Sequence, residues 1–367
     1  MDKITPDDSL PLIEGKAKKI ADKIFNRERI TDADGLWLYE KAETSVLLLL
    51  SSYVREQKSE QKCYYNINAH LEPTNICVNQ CRFCDYARSE GEPGSYMFTD
   101  EEIKRICIGL RTQKITEIHI TGGVHPGKGL FEQCRMIRLI QSELPDVHIK
   151  AFTAEEISYM CQKEGLSIEQ GLKELKQCGV QSLPGGGAEI FNSPVRKKLC
   201  PEKISGERWL MIHETAHHIG LTSNATMLFG HIESYADRIA HLSALRELQD
   251  KTGGFNAFIP LTYIPAKRMP PEYHKQSLVN ILRNYAVSRL FIDNIPHLKA
   301  YWPMTGTETA RLSLYFGVDD LDGTNYHPTT IYKTTHSLSR EELEEIIHSA
   351  GREPQERNSL YSPVQRL

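Results

Sequence analysis

The amino-acid sequence predicts an α/β fold: a (β/α)8 barrel of the TIM type with an N-terminal helical extension and a C-terminal helix and tail. Three observations predict it. From Gln61 onward, short β-rich runs alternate with helical stretches, a pattern that makes parallel strands joined by right-handed crossovers. Eight such strand runs can be counted. The stretch 61–335 that holds them approaches the ~250 residues of such a barrel. A doubly wound open sheet is the competing architecture.

Each part follows in order. Residues 1–60 read as the helical extension, with apolar positions at helix spacing through Leu12, Ala17, Ile20 and Ile24, then Leu36, Leu38 and Ala42. The apolar run 46–50 is far short of the ~20 residues of a membrane span and reads as a core-facing helix stripe. The first strand is 63–71, followed by 117–121, 148–152, 179–183, 223–229, 255–263, 297–302 and 311–316. Several intervening helices open with a capping box: Thr99 with Glu102, Thr153 with Glu156, Ser167 with Gln170. The last part, 336–367, holds one helix at 341–349 and a polar tail expected to be loose.

The chain has 367 residues, 40% hydrophobic and 25% charged, enough to bury a large core. A net charge of −4 carries no basic footprint for nucleic acid. Lys197-Lys198 reads as a solvated face. The opening segment lacks the charged-then-apolar order of a secretory signal. Nine cysteines without an export signal point to a cytoplasmic setting with reduced thiols.

The strongest chemical signal is Cys77-Val-Asn-Gln-Cys81-Arg-Phe-Cys84 just past the first strand. Three soft thiolates within one loop suit an iron–sulfur cluster or zinc. Three ligands leave a four-iron cubane with one open iron, whereas a structural site is normally closed by a fourth ligand. A zinc site on the same three cysteines, completed by His70 or Asp85, is the alternative. The other six cysteines are scattered and read as small buried hydrophobes.

This Cys-x3-Cys-x2-Cys spacing resembles the radical S-adenosylmethionine (radical SAM) superfamily. The resemblance implies a [4Fe–4S] cluster on Cys77, Cys81 and Cys84 whose open iron chelates S-adenosylmethionine. It also implies that Tyr86 lies against the adenine, and that Gly122 and Gly123, in Thr-Gly-Gly-Val-His125, let backbone approach the methionine end. Further stretches resemble aminofutalosine synthases (MqnE) of menaquinone biosynthesis: Ser-Leu-Pro-Gly-Gly-Gly-Ala-Glu-Ile-Phe191, Cys-Pro-Glu-Lys-Ile-Ser-Gly-Glu-Arg-Trp209 and Ser-Asn-Ala-Thr-Met-Leu-Phe-Gly-His-Ile-Glu233. That resemblance spans roughly 60–335. It implies addition of the 5′-deoxyadenosyl radical to 3-[(1-carboxyvinyl)oxy]benzoate, giving 6-amino-6-deoxyfutalosine, with an external electron donor such as flavodoxin or ferredoxin. Within it, Gly186 is expected to approach S-adenosylmethionine and Glu189 to accept hydroxyls. The dicarboxylate substrate asks for cations, and His125, Arg268 and His231 are the candidates near strand ends. Sister radical enzymes, the dehypoxanthine futalosine cyclase and the deazaflavin (FO) synthase halves, share much of this text.

His213-Glu214-Thr-Ala-His217 matches the zinc-protease pattern H-E-x-x-H. It is set aside, because Trp209, Ile212 and Ala216 place His213 on the apolar face of a helix packed against the barrel. A structural or redox-sensing cluster in a binding protein is the non-enzymatic alternative. Neither nucleic acid nor membrane is expected as a partner.

Overall fold

The computed structural model describes residues 13–270, 273–326 and 337–366; Leu12 and the boundary expected near 335 lie outside them. Among the described residues three helices lead: α1 (Gly15–Phe25), α2 (Asp32–Glu40) and α3 (Thr44–Ser59). The apolar run 46–50 lies in α3, where Leu47 and Leu50 are fully buried. The strand expected at 63–71 is broken at Asn66 and Ile67 into β1 (Lys62–Tyr65) and β2 (Asn68–Leu71).

The alternation then runs α4 (Asp100–Leu110), β3 (Glu117–Ile120), α5 (Leu130–Glu143), β4 (His148–Ala151), α6 (Ala154–Glu164), α7 (Ile168–Cys178) and β5 (Ser182–Leu183). It continues through α8 (Ser193–Leu199), α9 (Gly206–His218), β6 (Thr222–Phe229), α10 (Tyr235–Thr252), β7 (Phe255–Thr262), α11 (Leu278–Phe291) and β8 (His297–Ala300). The last elements are α12 (Trp302–Thr305), α13 (Thr307–Ser313), β9 (Asp320–Leu321), α14 (Arg340–Ser349) and β10 (Glu353–Glu356). All three expected capping boxes are present, each with the Ser/Thr oxygen accepting an amide and the N3 side chain answering it.

The described strands form one parallel ladder, β10-β1-β9-β8-β7-β6-β5-β4-β3-β2. The chain after β9 brings its ends together. Tyr326 N donates to Asn68 O at 3.0 Å, and His70 N donates to Tyr326 O at 2.7 Å. The result is the TIM-like α/β architecture, with β10 added beside the first half of the opening strand.

The extension packs onto the barrel's helices, α3 on α11 and α2 on α10. Gly35 makes the second crossing possible, since a Cβ there would sit 2.7 Å from Ile239 Cδ1. Arg29 joins the two parts by ion pairs to Asp250 at 2.6 Å and Asp293 at 2.7 Å.

Three expectations need correction. The stretch 311–316 is not a strand. Ala310, Ser313 and Leu314 are buried at helical spacing, so α13 forms there, and the eighth barrel strand is β9. Asp319 and Asp320 disguise that strand, and both are wholly buried because Arg289 and Arg357 neutralise them at 2.5 and 2.6 Å. The strand expected at 179–183 shrinks to Ser182–Leu183, since Gly179 ends α7 with φ +119°. The C-terminal stretch is not loose. Arg357 is 1% exposed, and Tyr361 stacks on His297 with ring centroids 3.7 Å apart while its hydroxyl donates to Asp320.

Candidate functional site

A cavity of about 450 Å³ runs from the C-terminal strand ends down the barrel. Cys77, Cys81 and Cys84 line its mouth. Their loop is sewn to the end of β3: Gly123 N donates to Thr74 O at 2.8 Å, Val78 N to Val124 O at 2.9 Å, and Val124 N to Cys77 Sγ at 3.3 Å. Such close approach demands glycine. A Cβ on Gly122 would lie 2.8 Å from Thr74 O, and one on Gly123 only 2.2 Å from Ile76 O.

The donor set suits a cluster of several irons. All three thiols are free of disulfides, Cys81 is buried, and Cys77 and Cys84 are half-buried. Burial pushes the Cys77 and Cys81 thiols up, with the Lys203 charge pulling the other way at both. His70 lies deep in the barrel facing Asp322, and Asp85 accepts the Lys267 N–H at 3.0 Å, so neither closes a mononuclear site with the thiols.

Of the other expected residues, Tyr86, Gly122, Gly123, Gly186 and Glu189 all line this cavity. Tyr86 is held by its hydroxyl, shared with Tyr96 and donated to Thr74 O at 3.3 Å. Glu189 occupies the left-handed region at φ +48°, a conformation that persists only where surroundings impose it. Lys203 Nζ pairs with it at 2.7 Å. Burial pushes the Glu189 carboxyl up, but Lys203 and Arg196 prevail and hold it below the usual carboxylate range. His125, Arg268 and His231 are not among the lining residues. His125 Nδ1 accepts the Gly127 amide at 2.9 Å, Arg268 reaches Gln80 at 2.7 Å on the surface, and His231 is locked to Glu233 at 2.8 Å.

His213 and His217 lie outside the cavity. Both ring systems meet Ser223 Oγ at 2.8 Å, and His217 also bonds Thr252 at 2.7 Å. Burial holds both rings neutral, and His213 stacks on Trp209 at 3.7 Å.

The cavity also holds residues that the sequence reading passed over. His70, His119, Lys150 and Lys299 are each the third residue of a four-residue strand. Registers His70↔His119 and His119↔Lys150 place three of them in one layer facing inward. Lys150 pairs with Glu117 at 2.6 Å and Lys299 with Asp322 at 3.2 Å. The signal was present: a basic side chain flanked by apolar neighbours that face the helices. Lys203 was within reach too, inside the quoted Cys200–Trp209 stretch. Asn79, which donates to Glu155 at 3.0 Å, ties the cysteine loop to α6.

A parallel barrel with three free thiols at the mouth of its axial cavity defines the class of radical SAM enzymes. The chain belongs to that superfamily: the family model described as "Radical SAM superfamily" matches residues 71–245, and "CofH/MqnC C-terminal region" matches 252–366. Membership makes the protein an enzyme of the radical SAM transferase type and implies a [4Fe–4S] cluster and S-adenosylmethionine. The aminodeoxyfutalosine synthase of Thermus thermophilus is 40% identical over 94% of this chain and 95% of its own. A 5-amino-6-(D-ribitylamino)uracil–L-tyrosine 4-hydroxyphenyl transferase of Methanopyrus kandleri is 36% identical over 81% of this chain and 83% of its own. Among solved structures, methylornithine synthase (PylB) superposes with a TM-score of 0.72 at 18% identity, over 91% of this chain and 97% of that one. No described helix is long and apolar enough to cross a membrane.

Proposed function

We propose that this chain is an aminofutalosine synthase. In this reading it joins the adenosyl part of S-adenosylmethionine to 3-[(1-carboxyvinyl)oxy]benzoate, yielding 6-amino-6-deoxyfutalosine, with methionine and the substrate's vinylic carboxyl carbon released. The observation that carries it is the cavity with the cysteine loop at its mouth and buried lysines at its floor, in a chain 40% identical to the Thermus enzyme.

Cys77, Cys81 and Cys84 would hold the [4Fe–4S] cluster, which when bound by S-adenosylmethionine and reduced by an external donor such as flavodoxin or ferredoxin supplies the 5′-deoxyadenosyl radical. Tyr86 offers its ring to the adenine. Gly122 and Gly123 bring backbone to the methionine end, with Gly122 N already donating to Glu156 at 3.2 Å. Gly186 brings backbone toward S-adenosylmethionine, and Glu189, kept ionised by Lys203, accepts hydroxyls. The apolar collar of Leu228, Ile259 and Leu261 excludes water from the reacting carbons.

The test is anaerobic. Reconstituted protein receives dithionite, S-adenosylmethionine and the vinyl ether, and products are followed by mass spectrometry. An adduct of aminofutalosine mass, absent with Cys81→Ala, is expected. Cleavage to 5′-deoxyadenosine alone would retract the substrate, and intact S-adenosylmethionine with iron-loaded protein would retract the reaction.

A further inference from the structure

We propose that the polar floor of the cavity is the subsite for the benzoate carboxylate, read by Lys150, Lys299 and His119. The assignment rests on the substrate class proposed above and adds where that substrate's unreactive end lies.

The floor is built from buried groups. Lys150 is 5% exposed and Lys299 3%, and both line the cavity with Glu117, Asp322, His70 and His119. Each ammonium has three N–H donors. Lys150 donates to Glu117 at 2.6 Å and Lys299 to Asp322 at 3.2 Å, and no further bond is formed by either among the described residues. His119 Nε2 is likewise buried without a hydrogen-bond partner. Buried donors are costly to leave unpaired. Two lysines with N–H donors to spare, beside an imidazole nitrogen that has no partner, therefore describe a pocket for a compact acceptor with two oxygens, although Asp322 Oδ2 on the same floor is an acceptor with no partner of its own.

The orientation follows from depth. The cysteine loop stands at the strand ends, whereas His70, His119, Lys150 and Lys299 lie within their strands, one step further down the axis. Leu228, Ile259 and Leu261 form an apolar band on the same cavity wall. An aromatic acid with its ring in that band puts the ring carboxylate on the lysines and turns its vinyl ether toward the mouth.

The test uses reconstituted holoenzyme and an inert probe, 3-methoxybenzoate, titrated by calorimetry against the carboxylate-free 3-methoxybenzyl alcohol. Lys150→Gln alone would strand Glu117 as a buried lone carboxylate. The paired variant Glu117→Gln/Lys150→Gln therefore removes both charges at once, and Lys299→Gln and Lys299→Arg complete the set, each checked by melting. Wild-type protein is expected to bind the acid, with affinity falling roughly ten- to a hundredfold in the paired variant and in Lys299→Gln. Lys299→Arg should recover part of the loss, and binding of the alcohol should not change. Absence of acid binding by the wild type, unchanged acid binding in both neutralised variants, or equal loss of acid and alcohol would overturn the subsite. Because the probe needs no turnover, a wild type that binds it yet makes no adduct retracts the reaction and keeps the subsite.

Discussion

Gly123→Ala tests the idea that the cysteine loop is shaped by the end of β3. A Cβ at this position would sit 2.2 Å from Ile76 O, 2.7 Å from Ile76 C and 2.9 Å from Asn75 C. All three atoms are backbone, so no side-chain rotation relieves the clash. The shortest contact is roughly 1.2 Å inside ordinary van der Waals distance, and the displaced segment leads directly into Cys77. Overpacking of this kind costs about 1–3 kcal/mol, which a barrel of this size absorbs as a modest drop in melting temperature. Function should suffer more, since a misplacement of about 1 Å at a reacting centre can cost about a hundredfold in rate. The assay is iron and sulfide content after anaerobic reconstitution, followed by the rate of reductive S-adenosylmethionine cleavage. Gly109→Ala is the control, because a Cβ there meets nothing within 4 Å on helix α4. A Gly123→Ala protein that loads iron and cleaves S-adenosylmethionine like the control would refute the reasoning.

Three further outcomes follow from buried polar groups. Burial pushes the Glu233 carboxyl up, but the His231 hydrogen bond and the Arg238 charge outweigh it and leave its pKa at about 2. A depressed carboxylate contributes stability above its unfolded pKa and loses it as pH falls toward the folded one. Glu233→Gln should therefore cost about 3 kcal/mol at pH 7 in urea melts. The gap should close from about pH 4.5 downward, and a pH-independent gap would sink the assignment. Arg357→Ala leaves Asp320 as a buried uncompensated charge and should cost about 3–5 kcal/mol; a loss below ~1 kcal/mol would show that the C-terminal stretch does not hold β9. His217→Ala breaks bonds to Ser223 and Thr252 worth about 1 kcal/mol each. Zinc content and the chelator sensitivity of the melt should stay as in the parent; stoichiometric zinc lost with this substitution would reopen the metalloprotease reading.

Much of the fold and part of the site could be read from local text. Capping boxes at Thr99, Thr153 and Ser167 involve residues three apart, so each helix announces its own start. Cys77, Cys81 and Cys84 belong to one short loop, and Gly122 and Gly123 sit together at a strand end, so their grouping is legible before folding. Arg311 to Phe316 misled because its alternating apolar residues fit a strand as well as a helix. The true strand carried Asp319 and Asp320, whose burial depends on arginines 30 and 37 residues away. His125, Arg268 and His231 have the right chemistry near strand ends, yet each is held away from the cavity by a neighbour within its own loop or surface.

What the sequence by itself determined is therefore what neighbours along the chain determine: element type, caps and the three-thiol loop. Tertiary structure alone decided the shared layer of His70, His119 and Lys150, the place of Lys299 on the same cavity, the pairing of Lys203 with Glu189, and the locking of β9 by Arg357. The reason is geometric. The period-two alternation marks one face of each strand, but only the stagger of the closed barrel sets which residues of different strands share a level. Only at such a shared level, away from water, do separate charges become one site.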